Sequence, residues 1–163
     1  MSTTSDSSYA FLAQFDMIFL INDSDSMAER SWHKTSAVLA VITLICTQHD
    51  TDEIDIYFLN HCSALEMKFE RAYKKLTRSA QITEIFSNVT SRNETFTETQ
   101  LNHILKSYLE QVELMTKNNT TANSDLIVKS LNIIVITDRM SSDDVKNVIM
   151  NAVKKLDKCN ALF

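Results

Sequence analysis

The chain predicts an α/β fold, a doubly wound and mostly parallel sheet with helices on both faces. Three observations lead there. Met17-Ile18-Phe19-Leu20-Ile21-Asn22, Ile54-Asp55-Ile56-Tyr57-Phe58-Leu59 and Leu131-Asn132-Ile133-Ile134-Val135-Ile136 are short apolar runs, the pattern of strands buried on both faces in a parallel sheet. Between the first two runs lies a stretch of helical period, which makes a strand-helix-strand unit with parallel pairing. Each run breaks into polar side chains at its carboxyl end, where ligands gather in open α/β sheets.

Residues 1–12 are polar at the start and are expected to be a flexible N-terminus. Residues 13–163 are expected to form a single partial domain. The first strand ends in Asn22-Asp23-Ser24-Asp25-Ser26-Met27. Two hydroxyls and two carboxylates in this run suit a hard cation such as Mg²⁺, which takes oxygen ligands. The same residues also suit a turn that caps the next helix. Trp32, Thr35, Leu39, Ile42 and Cys46 then recur at helical spacing and predict an amphipathic helix over about Ser31–Thr47. Gln48–Glu53 reads as a polar turn before the second strand, which ends in Asn60-His61-Cys62-Ser63.

Ala64–Lys75 has helical composition, and Ile82–Phe86 suits either a short helix or an edge strand. Leu101, Ile104, Leu105, Tyr108, Leu109, Val112 and Met115 mark a further helix, with Thr97 or Thr99 as its cap. The Leu131–Ile136 strand is expected to be buried and runs into Thr137-Asp138. Ser141 or Ser142 can cap a last helix with Asp143 and Asp144 in its first turn, and Val145, Val148, Ile149, Ala152 and Leu156 as its buried stripe.

Composition narrows the function classes. The 163 residues, 44% hydrophobic and 23% charged, suit an ordinary globular domain. A net charge of −5 without a Lys/Arg cluster argues against a duplex nucleic-acid surface. No apolar run approaches a membrane span, and the N-terminus lacks the basic and apolar parts of a signal peptide. The three cysteines, Cys46, Cys62 and Cys159, are far apart, which suggests neither a disulfide framework nor a zinc site. A reduced, cytoplasmic protein is expected. The four histidines are scattered and are expected to be structural or solvated. One feature is abnormal: Gly and Pro are both zero, where average usage predicts roughly eleven and eight.

Asn22-Asp23-Ser24-Asp25-Ser26-Met27 followed by Arg30-Ser31-Trp32 resembles the first motif of von Willebrand factor type A domains. The resemblance extends to Asp55-Ile56-Tyr57-Phe58-Leu59-Asn60-His61, to Thr95-Phe96-Thr97-Glu98-Thr99-Gln100-Leu101 and to Ile136-Thr137-Asp138. It is nearest to the intracellular versions of filamentous fungi. It implies a non-enzymatic protein-interaction domain of adhesion type with a metal-ion-dependent adhesion site at the top of the sheet. In that family Mg²⁺, or Mn²⁺ in its place, is held by an Asp-x-Ser-x-Ser motif, a Thr and a later Asp. An acidic group of a protein partner completes the shell. Carried over, the metal ligands fall on Asn22, Ser24, Ser26, Thr95 and Asp138.

Asn22 stands where the family has Asp. An amide is neutral and has one acceptor oxygen, so the site is expected to be impaired. Asp25, Glu29, Glu53, Asn93, Glu94, Glu98 and Arg139 stand where Gly is common in the family, Phe96 and Ser141 where Pro is, and Cys62 where Arg is. G-to-A or C-to-T transitions reach all of these, which suggests a gene that has passed through heavy transition mutation. Measured against the family, the C-terminal strands are expected to be missing, which would leave the Leu131–Ile136 strand with an open edge prone to self-association.

Two alternatives come from other function classes. Asp23-Ser24-Asp25 imitates the Asp-x-Asp of haloacid-dehalogenase-type phosphatases, in which one carboxylate attacks phosphorus and the other acts as acid/base; Met27 stands where that family has Thr or Val. The other is a non-functional relic that merely associates with itself. A nucleotide site built on a Gly-rich loop is excluded by composition.

Overall fold

A computed structural model of the chain describes residues 14–28, 30–49, 53–61, 72–89, 97–118, 128–138 and 144–160. Among them are four strands, β1 (Phe15–Ile21), β2 (Ile54–Phe58), β3 (Ala72–Leu76) and β4 (Ser130–Ile136). Four α-helices accompany them: α1 (Arg30–His49), α2 (Ser79–Asn88), α3 (Thr97–Asn118) and α4 (Val145–Asn160). A 3-10 turn, Asp25–Met27, follows β1. The fold is α/β, and none of its described helices is long and apolar enough to cross a membrane.

The sheet is mixed, in the order β3-β2-β1-β4. β1 pairs in parallel with β2, Met17 opposite Ile54, and with β4, Phe15 opposite Ser130. β3 runs antiparallel to β2. The connection therefore leaves β1 in one direction to reach β2, and β4 lies on the opposite side. That reversal beside β1 is the topological switch point of the sheet.

The chain divides into two compact units. The first holds the sheet with α1 and α2. Phe19, Ile21, Leu39, Ile56, Phe58 and Ile82 lie at the centre of its core, each fully buried. Leu20, of opposite parity on β1, is also fully buried, as the unbroken apolar run predicts. On α1 the predicted stripe faces inward at Thr35, Leu39 and Cys46, while Val38, Val41 and Leu44 stay exposed. Trp32 joins α1 to α2 by an indole N–H bond to the Phe86 carbonyl at 3.0 Å and by ring contact at 4.6 Å.

In the second unit α3 and α4 pack together, and Leu101, Ile104, Leu109, Val148 and Ala152 are buried. Tyr108 on α3 donates its hydroxyl to the Lys129 carbonyl at 3.2 Å.

Four expectations are corrected here. The helical reading of Ala64–Lys75 fails over Ala72–Lys75, which belong to β3; its remainder lies outside the described residues. Pairing of Tyr73 with Ile56 and of Leu76 with Ile54 overrides the local preference, and an irregularity in register separates the two pairs. Lys75, at φ 61°, takes the left-handed turn there. The strand at Ser130–Ile136 is less buried than expected, with Ile134 and Val135 more than a third exposed. β4 ends the described sheet and so has a neighbouring strand on one side only. The cap of α4 is Asp144, whose Oδ1 accepts the Asn147 N–H at 3.2 Å and whose Oδ2 takes the Asn147 side-chain amide; Ser141, Ser142 and Asp143 lie outside the described residues. Helix α3 begins at Thr97, so Thr99 sits within its first turn. The ambiguous Ile82–Phe86 stretch is helical and lies in α2.

Candidate functional site

At the switch point, β1 hands the chain to a loop that is held from both sides. The Asn22 N–H bonds the Ile136 carbonyl of β4 at 2.9 Å, and the Leu59 N–H beyond β2 bonds the Ile21 carbonyl at 3.0 Å. Asn22, Asp23 and Ser24 are buried in consequence. Met27 N–H then bonds the Ser24 carbonyl at 3.0 Å and starts the 3-10 turn. Ser24, at the head of that turn, makes no side-chain cap bond. Its hydroxyl goes elsewhere.

Four of the five predicted ligand residues meet in one hydrogen-bonded network. Asn22 Oδ1 accepts the Ser24 N–H at 3.0 Å, the short-range turn that Asn side chains favour. Asn22 Nδ2 donates to Asp138 Oδ1 at 3.0 Å and to Thr137 Oγ1 at 3.4 Å. Ser26 Oγ donates to the same Asp138 oxygen at 3.0 Å, and the Ser24 and Ser26 hydroxyls lie 2.9 Å apart. A hydroxyl has one proton. Since that of Ser26 goes to Asp138, Ser24 donates to Ser26. The fifth residue, Thr95, lies outside the described residues.

Asp23 points the other way. It is fully buried. Its Oδ1 accepts the Asn60 backbone N–H at 2.8 Å and the Asn60 side-chain amide at 3.0 Å, and its Oδ2 accepts the His61 N–H at 2.7 Å. Burial raises the Asp23 carboxyl above its ordinary 3.8, against the opposing pull of the Asn60 and His61 N–H bonds. Asp23 thus ties the loop after β1 to the loop after β2. His61 goes on to bond the Tyr73 hydroxyl through Nε2 at 2.9 Å, with the two rings stacked.

Does this set suit a divalent cation? Ligands of an octahedral Mg²⁺ lie ~2.0–2.1 Å from the ion and so roughly 3 Å from one another. The Ser24–Ser26 and Ser26–Asp138 oxygen separations of 2.9 and 3.0 Å have that spacing. Asn22 does not fit. Its oxygen is engaged by the Ser24 N–H, and it presents N–H groups to Asp138. An N–H cannot ligate a metal. The residues as they stand suit a self-closed network better than a metal shell.

The clamp residues Asn60 and His61 and the neighbour Thr137 were not among the predicted site residues. Their signal was positional: polar residues directly after an apolar run, at the same end of the sheet. Set against family models and curated proteins, the chain matches none.

Proposed function

We propose that the chain is a non-enzymatic, cytoplasmic protein-interaction domain of the von Willebrand factor type A kind, nearest to the fungal intracellular versions, doubly wound and with an impaired adhesion site. One observation carries this reading: Asn22, Ser24, Ser26 and Asp138, which arise from segments more than a hundred residues apart, form one network at the switch point of the sheet. Open α/β sheets present their ligand-binding residues at that point. In the family the resemblance indicates, Mg²⁺ or Mn²⁺ joins this surface to an acidic group of the partner. In this chain the cation is the weakened part, because the leading carboxylate is an amide.

The phosphatase alternative asks Asp23 to act as nucleophile or acid/base. Asp23 is fully buried with both oxygens engaged, which counts against it. A second reading, a fragment that associates with itself through β4, draws support from the exposed Ile134 and Val135 on that strand.

The test is comparative capture. Immobilised full chain and its Ser26→Ala/Asp138→Ala variant, matched for melting behaviour, are each exposed to fungal cytosolic extract. The proposal expects a defined protein held by the first and lost by the second. Equal recovery on both removes the reading. Concentration-dependent oligomers in sedimentation, with no captured protein, favour the second.

A further inference from the structure

We infer that the Asn22 side chain takes the place of the divalent cation at this site, so that the loop cluster is closed without metal. The inference rests on the reading of the cluster as an adhesion-type site, and it concerns how that site is held together. Asn22 is buried at 7% exposure, and the orientation of its amide follows from its surroundings. The Ser24 N–H faces one end of the amide and the Asp138 carboxylate the other. With the amide reversed, two donors would meet at Ser24 and two acceptors at Asp138. Only the arrangement with Nδ2 toward Asp138 satisfies both.

Asp138 Oδ1 therefore accepts two hydrogen bonds, one from Asn22 Nδ2 and one from Ser26 Oγ. Those donors supply the positive field that a cation supplies to a ligand carboxylate. To ligate a metal, Asn22 would have to turn its oxygen outward. The Ser24 N–H would then lose its acceptor in a loop residue that is itself buried. An unsatisfied buried donor is unfavourable, and Mg²⁺ loses its own water reluctantly. An aspartate at this position behaves oppositely. One oxygen would keep the Ser24 N–H. The other would stand against Asp138 Oδ1 with no proton between, a like-charge contact that a cation relieves. Position 22 thus decides whether the site needs metal: amide for independence, carboxylate for dependence.

The experiment uses the full chain, its Asn22→Asp variant and the exchanged pair Asn22→Asp/Asp138→Asn, with thermal melting in chelator or in Mg²⁺ or Mn²⁺, and calorimetric titration of each metal alone. The wild type is expected to melt identically with and without metal and to give no saturable heat. Asn22→Asp is expected to melt several degrees lower in chelator and to recover saturably with Mn²⁺ or Mg²⁺. The exchanged pair restores one amide and one carboxylate, and is expected to melt close to wild type and to ignore metal. Saturable binding by the wild type that raises its melting temperature, and is lost in Asp138→Ala, overturns the inference. So does an exchanged pair that melts as low as Asn22→Asp. If Asn22→Asp fails to fold, the wild-type titration and the exchanged pair decide alone. None of these readouts involves a partner, so a metal-independent chain that captures no protein counts against the interaction reading only.

Discussion

The indole of Trp32 donates to the backbone carbonyl of Phe86 at 3.0 Å while its ring lies 4.6 Å from the Phe86 ring. Phe86 is in the last turn of α2, where carbonyls lack an intrahelical partner. The next carbonyl back, that of Ile85, is taken by the Val89 N–H at 3.0 Å. Trp32 thus completes the C-terminal end of one helix from the start of another. Trp32→Phe keeps most of the packing and loses the donor, with an expected cost of about 1–2 kcal/mol in urea melts followed by circular dichroism. Trp32→Ala loses both and is expected to cost about 3–5 kcal/mol. A Trp32→Phe variant as stable as the wild type would mean that the hydrogen bond contributes nothing.

Asp23 holds the loop after β2 to the loop after β1. Its two oxygens take three N–H groups from Asn60 and His61. Asp23→Ala removes the acceptor of three N–H bonds at a part-buried loop and is expected to destabilise by about 2–4 kcal/mol. Amide exchange should report it locally, with the Asn60 and His61 amides losing protection first. Wild-type protection at both would show that the clamp is not formed by Asp23.

Lys75 sits at φ 61°, a conformation that costs a non-glycine residue roughly 1 kcal/mol or slightly more. Its ion pair with Glu53 at 3.5 Å is exposed on both sides and contributes little. Lys75→Gly is therefore expected to stabilise by up to about 1 kcal/mol, whereas Lys75→Ala, which keeps the Cβ, brings no such gain. A lower unfolding midpoint for Lys75→Gly would contradict this account.

Stability should also depend on pH in a definite direction. Burial lifts Asp23 and Asp55 above the ordinary 3.8. For Asp55 the Lys75 N–H and the Lys74 charge oppose the shift, while Asp16 and Glu53 add to it. Between 3.8 and the raised values, the folded chain binds more protons than the unfolded one. The contribution of these two groups is thus greatest below that window and falls as pH rises through it. Asp55→Asn retains an oxygen for the Lys75 N–H and removes one ionisation. Its unfolding midpoint in urea should vary less between mildly acidic and neutral pH than that of the wild type. An unaltered pH slope would remove Asp55 from the explanation.

The parts of the fold legible in the sequence are those that a single strand or helix determines by itself. The apolar runs at β1, β2 and β4 need no partner to be recognised, nor does the stripe from Thr35 to Cys46. The α4 cap was harder to read, because Ser141, Ser142, Asp143 and Asp144 all carry suitable oxygens and only geometry selects Asp144. Strand β3 was illegible for a different reason. Ala72–Lys75 fall at the end of a stretch of helical composition, and only pairing with β2 makes them strand residues. At the site, Asn22, Ser24, Ser26 and Asp138 were found through the resemblance of their motifs. The direction of the Asn22 amide was not legible, since it depends on what the Ser24 N–H and Asp138 each require. The clamp from Asp23 to Asn60 and His61 depends likewise on two strand ends meeting in space.

The irregularity beside Lys75 acts on side-chain parity as a frameshift acts on codons. Ile54 and Ile56 share one face of β2, and their partners Leu76 and Tyr73 are separated by an odd number of positions. In a regular strand such residues would point to opposite faces. The extra residue resets the count, so that Leu76 joins the core and Tyr73 packs against it. A regular ladder that kept every residue would instead set Lys75 opposite Ile54 and put a lysine in place of the buried leucine. The irregularity is what keeps a charged side chain out of the core at this edge of the sheet.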